Sequence, residues 1–335
     1  MSFPLTTLEL CPTSRCNASC KGCYARESSR GEEMSSATAE AAFDWVEQLK
    51  VEPKKLKLRW LGSGEPAMRW DWVLEQTCTF RARFGMEPKV SVWTNGSVLP
   101  ERVLVEGRLL GMSFCISLET LRGETTWRGL PTEDVRKNVK RAITFGTQTV
   151  KGMITPEHAS EYHDVVRDLY ELGFTWIQVN PAVDMEWSGW QLEELKESIS
   201  KAGDYCRRMK KRDKGVTFST FKRALAKQEN GKRSCSSGYS LIGVRADGAL
   251  VPCHRYAAGG CDLDLGTVFD EPKPEVAQEL NQPYICEHPC EGLGSCILFC
   301  GWKRKRVCGD ASARIPKEWC EVFRHLYKVA KKEKL

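Results

Sequence analysis

The stretch Cys16-Asn17-Ala18-Ser19-Cys20-Lys21-Gly22-Cys23-Tyr24 places three cysteines at CxxxCxxC spacing just after an apolar run, Leu5 to Leu10. Three thiolates on one short loop can hold three irons of a cubane cluster and leave the fourth iron open to a small molecule. A structural zinc needs four closed ligands, and nothing local supplies the fourth. The chain therefore has to fold so that a ligand reaches the open iron and a substrate reaches the ligand.

Beyond the loop the chain alternates between short β-like runs and amphipathic stretches. Strands are expected at Leu5–Leu10, Leu56–Leu61, Val90–Thr94, Phe114–Leu118, Thr149–Ile154 and Thr175–Val179. Helices are expected at Thr38–Leu49, Trp72–Phe84, Pro100–Glu106, Glu133–Phe145, Ala159–Leu172 and Gln191–Arg212. In Glu133–Phe145 the apolar residues Val135, Val139, Ala142 and Ile143 recur at helical spacing. Six strand–helix repeats require right-handed crossovers and a parallel sheet. They predict an α/β fold with ligands at the C-terminal strand ends. The rhythm stops near Thr220, and a domain boundary is expected there, dividing residues 1–220 from 221–335.

Composition narrows the function classes. A hydrophobic share of 41% with 28% charged residues is ordinary for a soluble globular chain. The net charge of +6 comes partly from Lys328, Lys331, Lys332 and Lys334, which no aromatics interleave. That tail reads as a solvated helix end, and no nucleic-acid partner is expected. There is no signal peptide and no apolar run of about 18 residues to span a bilayer, so no membrane partner is expected. The expected location is the reducing cytoplasm, where sixteen cysteines favour metal binding over a disulfide framework. Nine of the sixteen lie between Cys235 and Cys320. Cys11, Cys78, Cys115 and Cys206 read as buried small hydrophobes.

CxxxCxxC followed by an aromatic, after the first strand of a (βα)6 pattern, resembles the radical S-adenosylmethionine (SAM) superfamily. The resemblance implies a partial (β/α)6 TIM-like barrel. It implies that SAM chelates the open iron of a [4Fe-4S] cluster on Cys16, Cys20 and Cys23, and that one electron from the cluster yields a 5′-deoxyadenosyl radical. The protein then supplies orientation, electron delivery and protection. Further stretches match the family. Ser63-Gly64-Glu65-Pro66 is similar to its GGEP turn, whose backbone grips the methionine amino group; with Ser63 in place of the first glycine, close approach rests on Gly64. Trp93-Thr94-Asn95-Gly96 resembles the turn near the SAM ribose. Ile116-Ser117-Leu118-Glu119 resembles the SLD motif, so Ser117 is expected near SAM, while Glu119 departs from the usual Asp. Arg128 lies where relatives pair an arginine with the SAM carboxylate, a task suited to a guanidinium fork. Tyr24 and Gln178 complete the expected SAM site.

The C-terminal cysteines resemble a SPASM-type iron–sulfur domain. Cys235, twelve residues, Gly248, four residues and Cys253 match its opening, and Cys286, Cys290, Cys296 and Cys300 follow as CX3CX5CX3C where relatives show CX2CX5CX3C. The resemblance implies two auxiliary clusters, for three [4Fe-4S] clusters in all. Cys235, Cys253 and Cys300 would ligate the first, and Cys286, Cys290, Cys296 and Cys320 the second. Either Cys261 supplies a fourth thiolate to the first or its last iron is open. Cys308 competes with Cys320.

Gly248-Ala249-Leu250-Val251-Pro252-Cys253-His254-Arg255-Tyr256 resembles a segment of peptide-modifying SPASM proteins, and Gly173 to Gln178 resembles the same group and the anaerobic sulfatase-maturing enzymes. The maturases carry an aspartate base after the cysteine corresponding to Cys253. Here His254 stands there, as the candidate proton acceptor. The leading expectation is a radical SAM oxidoreductase or maturase that dehydrogenates or crosslinks a peptide or protein side chain, with a reductase/flavodoxin or ferredoxin as electron donor. The alternative is dehydrogenation or epimerisation of a small molecule such as an amino sugar. No leader-binding domain has room before Leu5.

Overall fold

The computed structural model describes residues 4–25, 31–226, 235–257, 265–270, 273, 300–309 and 314–335. In chain order its first elements are β1 (Thr7–Leu10), α1 (Ser36–Gln48), β2 (Lys57–Trp60), α2 (Trp70–Phe84), β3 (Lys89–Thr94), α3 (Glu101–Leu109), β4 (Met112–Ser117) and α4 (Thr132–Thr144). There follow β5 (Thr149–Ile154), α5 (Tyr162–Glu171), β6 (Trp176–Pro181), α6 (Gly189–Arg212), β7 (Thr217–Phe218) and α7 (Ser219–Ala224). The remaining described elements are β8 (Leu241–Val244), β9 (Leu250–Val251), α8 (His254–Ala257), α9 (Gly301–Cys308) and α10 (Lys317–Glu333). The chain divides into two compact units. One comprises Met1–Ile116, Arg128–Thr147 and Ser236–Asn281; the other comprises Ser117–Trp127, Gln148–Cys235 and Gln282–Leu335.

In the first unit the strands run in the order β4-β3-β2-β1-β8-β9. β1 pairs in parallel with β2 on one side and β8 on the other. All four of its residues are buried, as a central parallel strand covered on both faces requires. The helices pack their apolar stripes on this sheet: Ala39, Ala42, Phe43 and Val46 of α1, and Val73 and Phe80 of α2, are fully buried. Ser35 caps α1 by accepting a hydrogen bond from the Thr38 N–H at 3.0 Å.

The parallel alternation agrees with the sequence pattern to within a few residues, but the chain from Thr217 onward contains more regular structure than the pattern gave. β7 and α7 extend the alternation. β8 then returns to lie beside β1, and β9 pairs with it antiparallel, Gly243 opposite Val251. A Cβ at Gly243 would stand 2.9 Å from Val251 Cγ2 and 3.2 Å from the Cys253 carbonyl carbon, so this hairpin closes only on glycine. The hairpin delivers Cys253 and His254 to the end of β1.

In the second unit β5, β6 and β7 are parallel. α10 packs along α6, burying Val322, Phe323, Leu326, Val329 and Ala330. Lys328, Lys331 and Lys332 stay exposed on its other side, as a solvated helix end should. No described helix is long and apolar enough to cross a membrane. Cys11, Cys115 and Cys206 are buried as expected, but Cys78 is exposed, because the buried stripe of α2 runs through Val73, Gln76, Thr77 and Phe80.

The α6–α10 contact is closest at Gly203, where a Cβ would overlap Val329 Cγ1. Overpacking of this kind costs about 1–3 kcal/mol, against about 1 kcal/mol gained in helix propensity. Gly203→Ala should therefore lower the thermal unfolding midpoint. An unchanged or raised midpoint would show that the two helices separate freely.

Candidate active site

The cysteine loop leaves the end of β1, the position a parallel sheet reserves for ligands. Cys16 is exposed, and Cys20 and Cys23 are half-buried. Two strand-end turns hold the loop. The turn after β2 packs directly against it: a Cβ at Gly64 would overlap the carbonyl oxygens of Arg15 and Thr13, and the Glu65 N–H donates to the Arg15 carbonyl at 2.8 Å. The close approach that Gly64 permits is thus to the chain's own loop. The Glu65 carboxylate is buried and used internally, accepting from the Ala67 N–H at 3.0 Å and the Asn95 N–H at 2.6 Å. Burial pushes its carboxyl upward in spite of these bonds. The half-exposed backbone at Ser63 and Gly64 remains accessible to a ligand.

The turn after β3 grips the loop from the other side. Asn95 Nδ2 donates to Asn17 Oδ1 at 3.0 Å and approaches Cys16 Sγ at 3.9 Å. Its Oδ1 accepts from the N–H and hydroxyl of Ser97. Gly96 supplies the positive φ of +79° that the turn needs. Arg128 closes the third side. Its carbonyl accepts from the Ser19 N–H at 2.8 Å, and its guanidinium lies 3.9 Å from Cys20 Sγ. Asn95 and Arg128, expected beside SAM, here stand beside the thiols of Cys16 and Cys20.

These contacts suit a cluster. N–H donors aimed at ligating sulfurs tune the potential of an iron–sulfur centre and stabilise its charge. Among the described residues no three Cys, His, Asp or Glu side chains cluster closely enough for a single ion. A tetrahedral zinc draws its sulfurs to about 3.8 Å from one another, whereas a cubane takes each thiolate on a different iron.

Beneath the loop lies a feature the motifs do not reveal. Glu9, in the middle of β1, is fully buried. Its Oε1 accepts from Arg59 Nη1 at 3.0 Å, and its Oε2 lies 2.9 Å from both the backbone N and ring Nδ1 of His254. Burial raises its carboxyl, but its contacts with His254 and with the Arg59 guanidinium more than reverse this and hold it below the usual carboxylate range. The His254 ring stands against Tyr24 and Trp93, with centroids 5.7 and 5.9 Å apart. Tyr24 is held in turn by its hydroxyl, which donates to the Gly62 carbonyl at 2.8 Å, and by Arg255 over its ring. Cys11, next to this group, is not a reactive thiol: burial pushes it to about 12. A carboxylate inside an otherwise apolar strand was the signal for this cluster, since buried charges are paired.

In the second unit, Ser117 is half-buried at the end of β4 and Gln178 is buried in β6. Glu119 accepts from the Met153 N–H at 3.0 Å, so its longer side chain secures the end of β5. Burial pulls the Arg223 guanidinium down while the thiols of Cys235 and Cys300 oppose it, so both cysteines neighbour one cation. Cys300 caps α9, Cys308 is exposed at its far end, and Cys320 is half-buried in α10. Cys261, Cys286, Cys290 and Cys296 lie outside the described residues.

A parallel α/β scaffold that presents three thiols on the loop after its central strand, with N–H donors at Cys16 and Cys20, suits an iron–sulfur cluster. Residues 10–169 match the model of the radical SAM superfamily. Those residues form a radical SAM domain, the domain of enzymes that use SAM and a [4Fe-4S] cluster. No curated protein matches the sequence. Among solved structures it is similar to native anSMEcpe with bound AdoMet, at 15% identity over 97% of each chain and a TM-score of 0.71. The same protein with bound AdoMet and Cp18Cys peptide gives 0.69 at 15% identity, over 97% of this chain and 96% of that one. Streptococcus suis SuiB bound to precursor peptide SuiA gives 0.59 at 16% identity, over 90% of this chain and 71% of that one. The shared fold is the radical SAM partial barrel expected from the sequence.

The Gly64 contact is with backbone, which cannot swing aside. Gly64→Ala should therefore displace the loop and lower iron and sulfide per chain toward the content of a Cys16, Cys20 and Cys23 triple alanine variant. Wild-type iron content would show that the turn relaxes without disturbing the thiols.

Proposed function

We propose that this radical SAM enzyme oxidatively modifies a side chain of a peptide or protein. The observation that carries the reading is the placement of His254. Its ring packs on Tyr24, the residue directly after Cys23, and its Nε2 has no hydrogen-bond partner among the described residues. Oxidation of a side chain by two electrons removes one hydrogen atom, one electron and one proton. SAM and the iron–sulfur groups that the cysteines would hold could supply the acceptors of the hydrogen atom and the electron, and the remaining proton needs a base. An imidazole with a free ring nitrogen, placed beside the cysteine loop, can take it up. The peptide substrate is supported by the structures of similar fold that hold peptides, anSMEcpe with Cp18Cys and SuiB with SuiA.

Bound at Cys16, Cys20 and Cys23, a [4Fe-4S] cluster with SAM would supply the 5′-deoxyadenosyl radical. The chain's own residues do the rest. Asn95 and Arg128 orient and neutralise the thiolates, and the turns at Ser63–Pro66 and Asn95 shape the ligand site, with Ser117 and Gln178 as further SAM contacts. In the SPASM-type reading Cys235, Cys253 and Cys300, with Cys261 or an open position, hold one auxiliary cluster. Cys286, Cys290, Cys296 and Cys320 hold the other. A flavodoxin- or ferredoxin-type donor in the cytoplasm delivers electrons.

Anaerobic reconstitution followed by reduction in the presence of SAM tests the chemistry. The wild-type chain should form 5′-deoxyadenosine, and replacing Cys16, Cys20 and Cys23 together by Ala should abolish it while iron bound elsewhere remains. Persistence of the product in the triple variant would overturn the loop's assignment. With a modifiable peptide, His254→Gln should still cleave SAM but form oxidised peptide at least ten-fold more slowly. Product at the wild-type rate would remove His254 from the mechanism.

A further inference from the structure

Glu9 sits at a register position that brings three strands to one point. Its Cα partner on β2 is Arg59, and its partner on β8 is Gly243. Arg59 takes one carboxylate oxygen from one side. On the other side the partner has no side chain, and His254 enters over it. A Cβ at Gly243 would stand 3.4 Å from the His254 nitrogen and 3.2 Å from the Cys253 carbonyl carbon. The second carboxylate oxygen then receives the backbone N–H and faces Nδ1 of that one residue, both at 2.9 Å. A structural ion pair would be complete with Arg59 alone. Fixing the backbone and ring of one histidine with one oxygen sets the direction in which the ring points.

We infer that Glu9 is a positioning residue that holds His254 as the Nδ1–H tautomer, leaving Nε2 as the proton-accepting atom between Tyr24 and Trp93. The inference rests on the reading of His254 as proton acceptor. An ionised carboxylate can only accept hydrogen bonds, so the proton between the two groups lies on Nδ1. In that tautomer the lone pair is on Nε2. Arg59, over the Trp93 ring at 5.5 Å, holds the carboxylate in its charged form and in place. A carboxylate plays this part for the histidine of serine-protease triads, where amide replacement selects the wrong tautomer.

The test is two-bond 1H–15N correlation on the cluster-loaded, full-length protein labelled with 15N-histidine, with His254→Gln identifying the signal. Wild-type protein should show Nδ1 protonated and Nε2 bare. Glu9→Leu, which leaves Nδ1 with no acceptor, should shift His254 toward the Nε2–H form, and Glu9→Asp should restore Nδ1–H at least in part. With peptide, Glu9→Leu should lower oxidised product per 5′-deoxyadenosine at least ten-fold. A protonated Nε2 in the wild type, as the other tautomer or as imidazolium, overturns the inference, and this measurement needs no variant to fold. An unchanged tautomer in folded Glu9→Leu overturns it as well. If His254→Gln makes product normally while the tautomer shifts as expected, Glu9 positions the ring but the ring is not the acceptor, and it is the functional reading that fails.

Discussion

The contact between the turn after β2 and the cysteine loop is the constraint on which the site depends. Gly64 lies so close to the Arg15 and Thr13 carbonyls that no side chain fits between them. Glu65 then binds in two directions, with its N–H to the Arg15 carbonyl and its carboxylate to the Asn95 N–H. One residue thereby fixes the ends of three neighbouring strands relative to one another. Without that fixation three thiols on a loop would be three mobile ligands, and ordering them on a cluster would cost their conformational entropy at each loading.

The same arrangement turns the Asn95 and Glu65 side chains toward the protein. The Asn95 amide spends its hydrogen bonds on Asn17, Ser97 and the Cys16 thiol. The Glu65 carboxylate is buried. These groups preorganise the ligand site from behind, which matters because a site held within a fraction of an ångström by locked rotamers outperforms one that orders on binding. The surface left to face a ligand is then largely backbone, and backbone at a strand end has little freedom to move.

Much of this was legible in the sequence. The CxxxCxxC loop, the six strand–helix repeats and the turns at Gly64 and Asn95 declare themselves through local spacing. Pairings distant in the chain do not. Leu241 to Val244 forms a strand only because β1 offers an open parallel edge more than two hundred residues earlier. Its four residues could not be told from a buried turn by periodicity. Glu9 was visible as a charge within Leu5 to Leu10, which signals a partner but not which one. Glu119 bonds the Met153 N–H on β5, a partner that local spacing does not name. Cys78 looks like core by residue type and is exposed by helical phase alone.

Register links the fold to the chemistry. Because side chains alternate along a strand, a slip of one residue between β1 and β8 would turn Glu9's neighbour from glycine into Ile242 or Val244. Either side chain would fill the space through which His254 approaches, and the carboxylate would keep only Arg59. The glycine at 243, the carboxylate at 9 and the histidine after Cys253 therefore form one unit spread across the length of the chain. In that unit the hairpin that brings Cys253 toward the strand end also sets the atom that His254 presents beside Tyr24. Cys253 and His254 are thus positioned by the same turn of backbone.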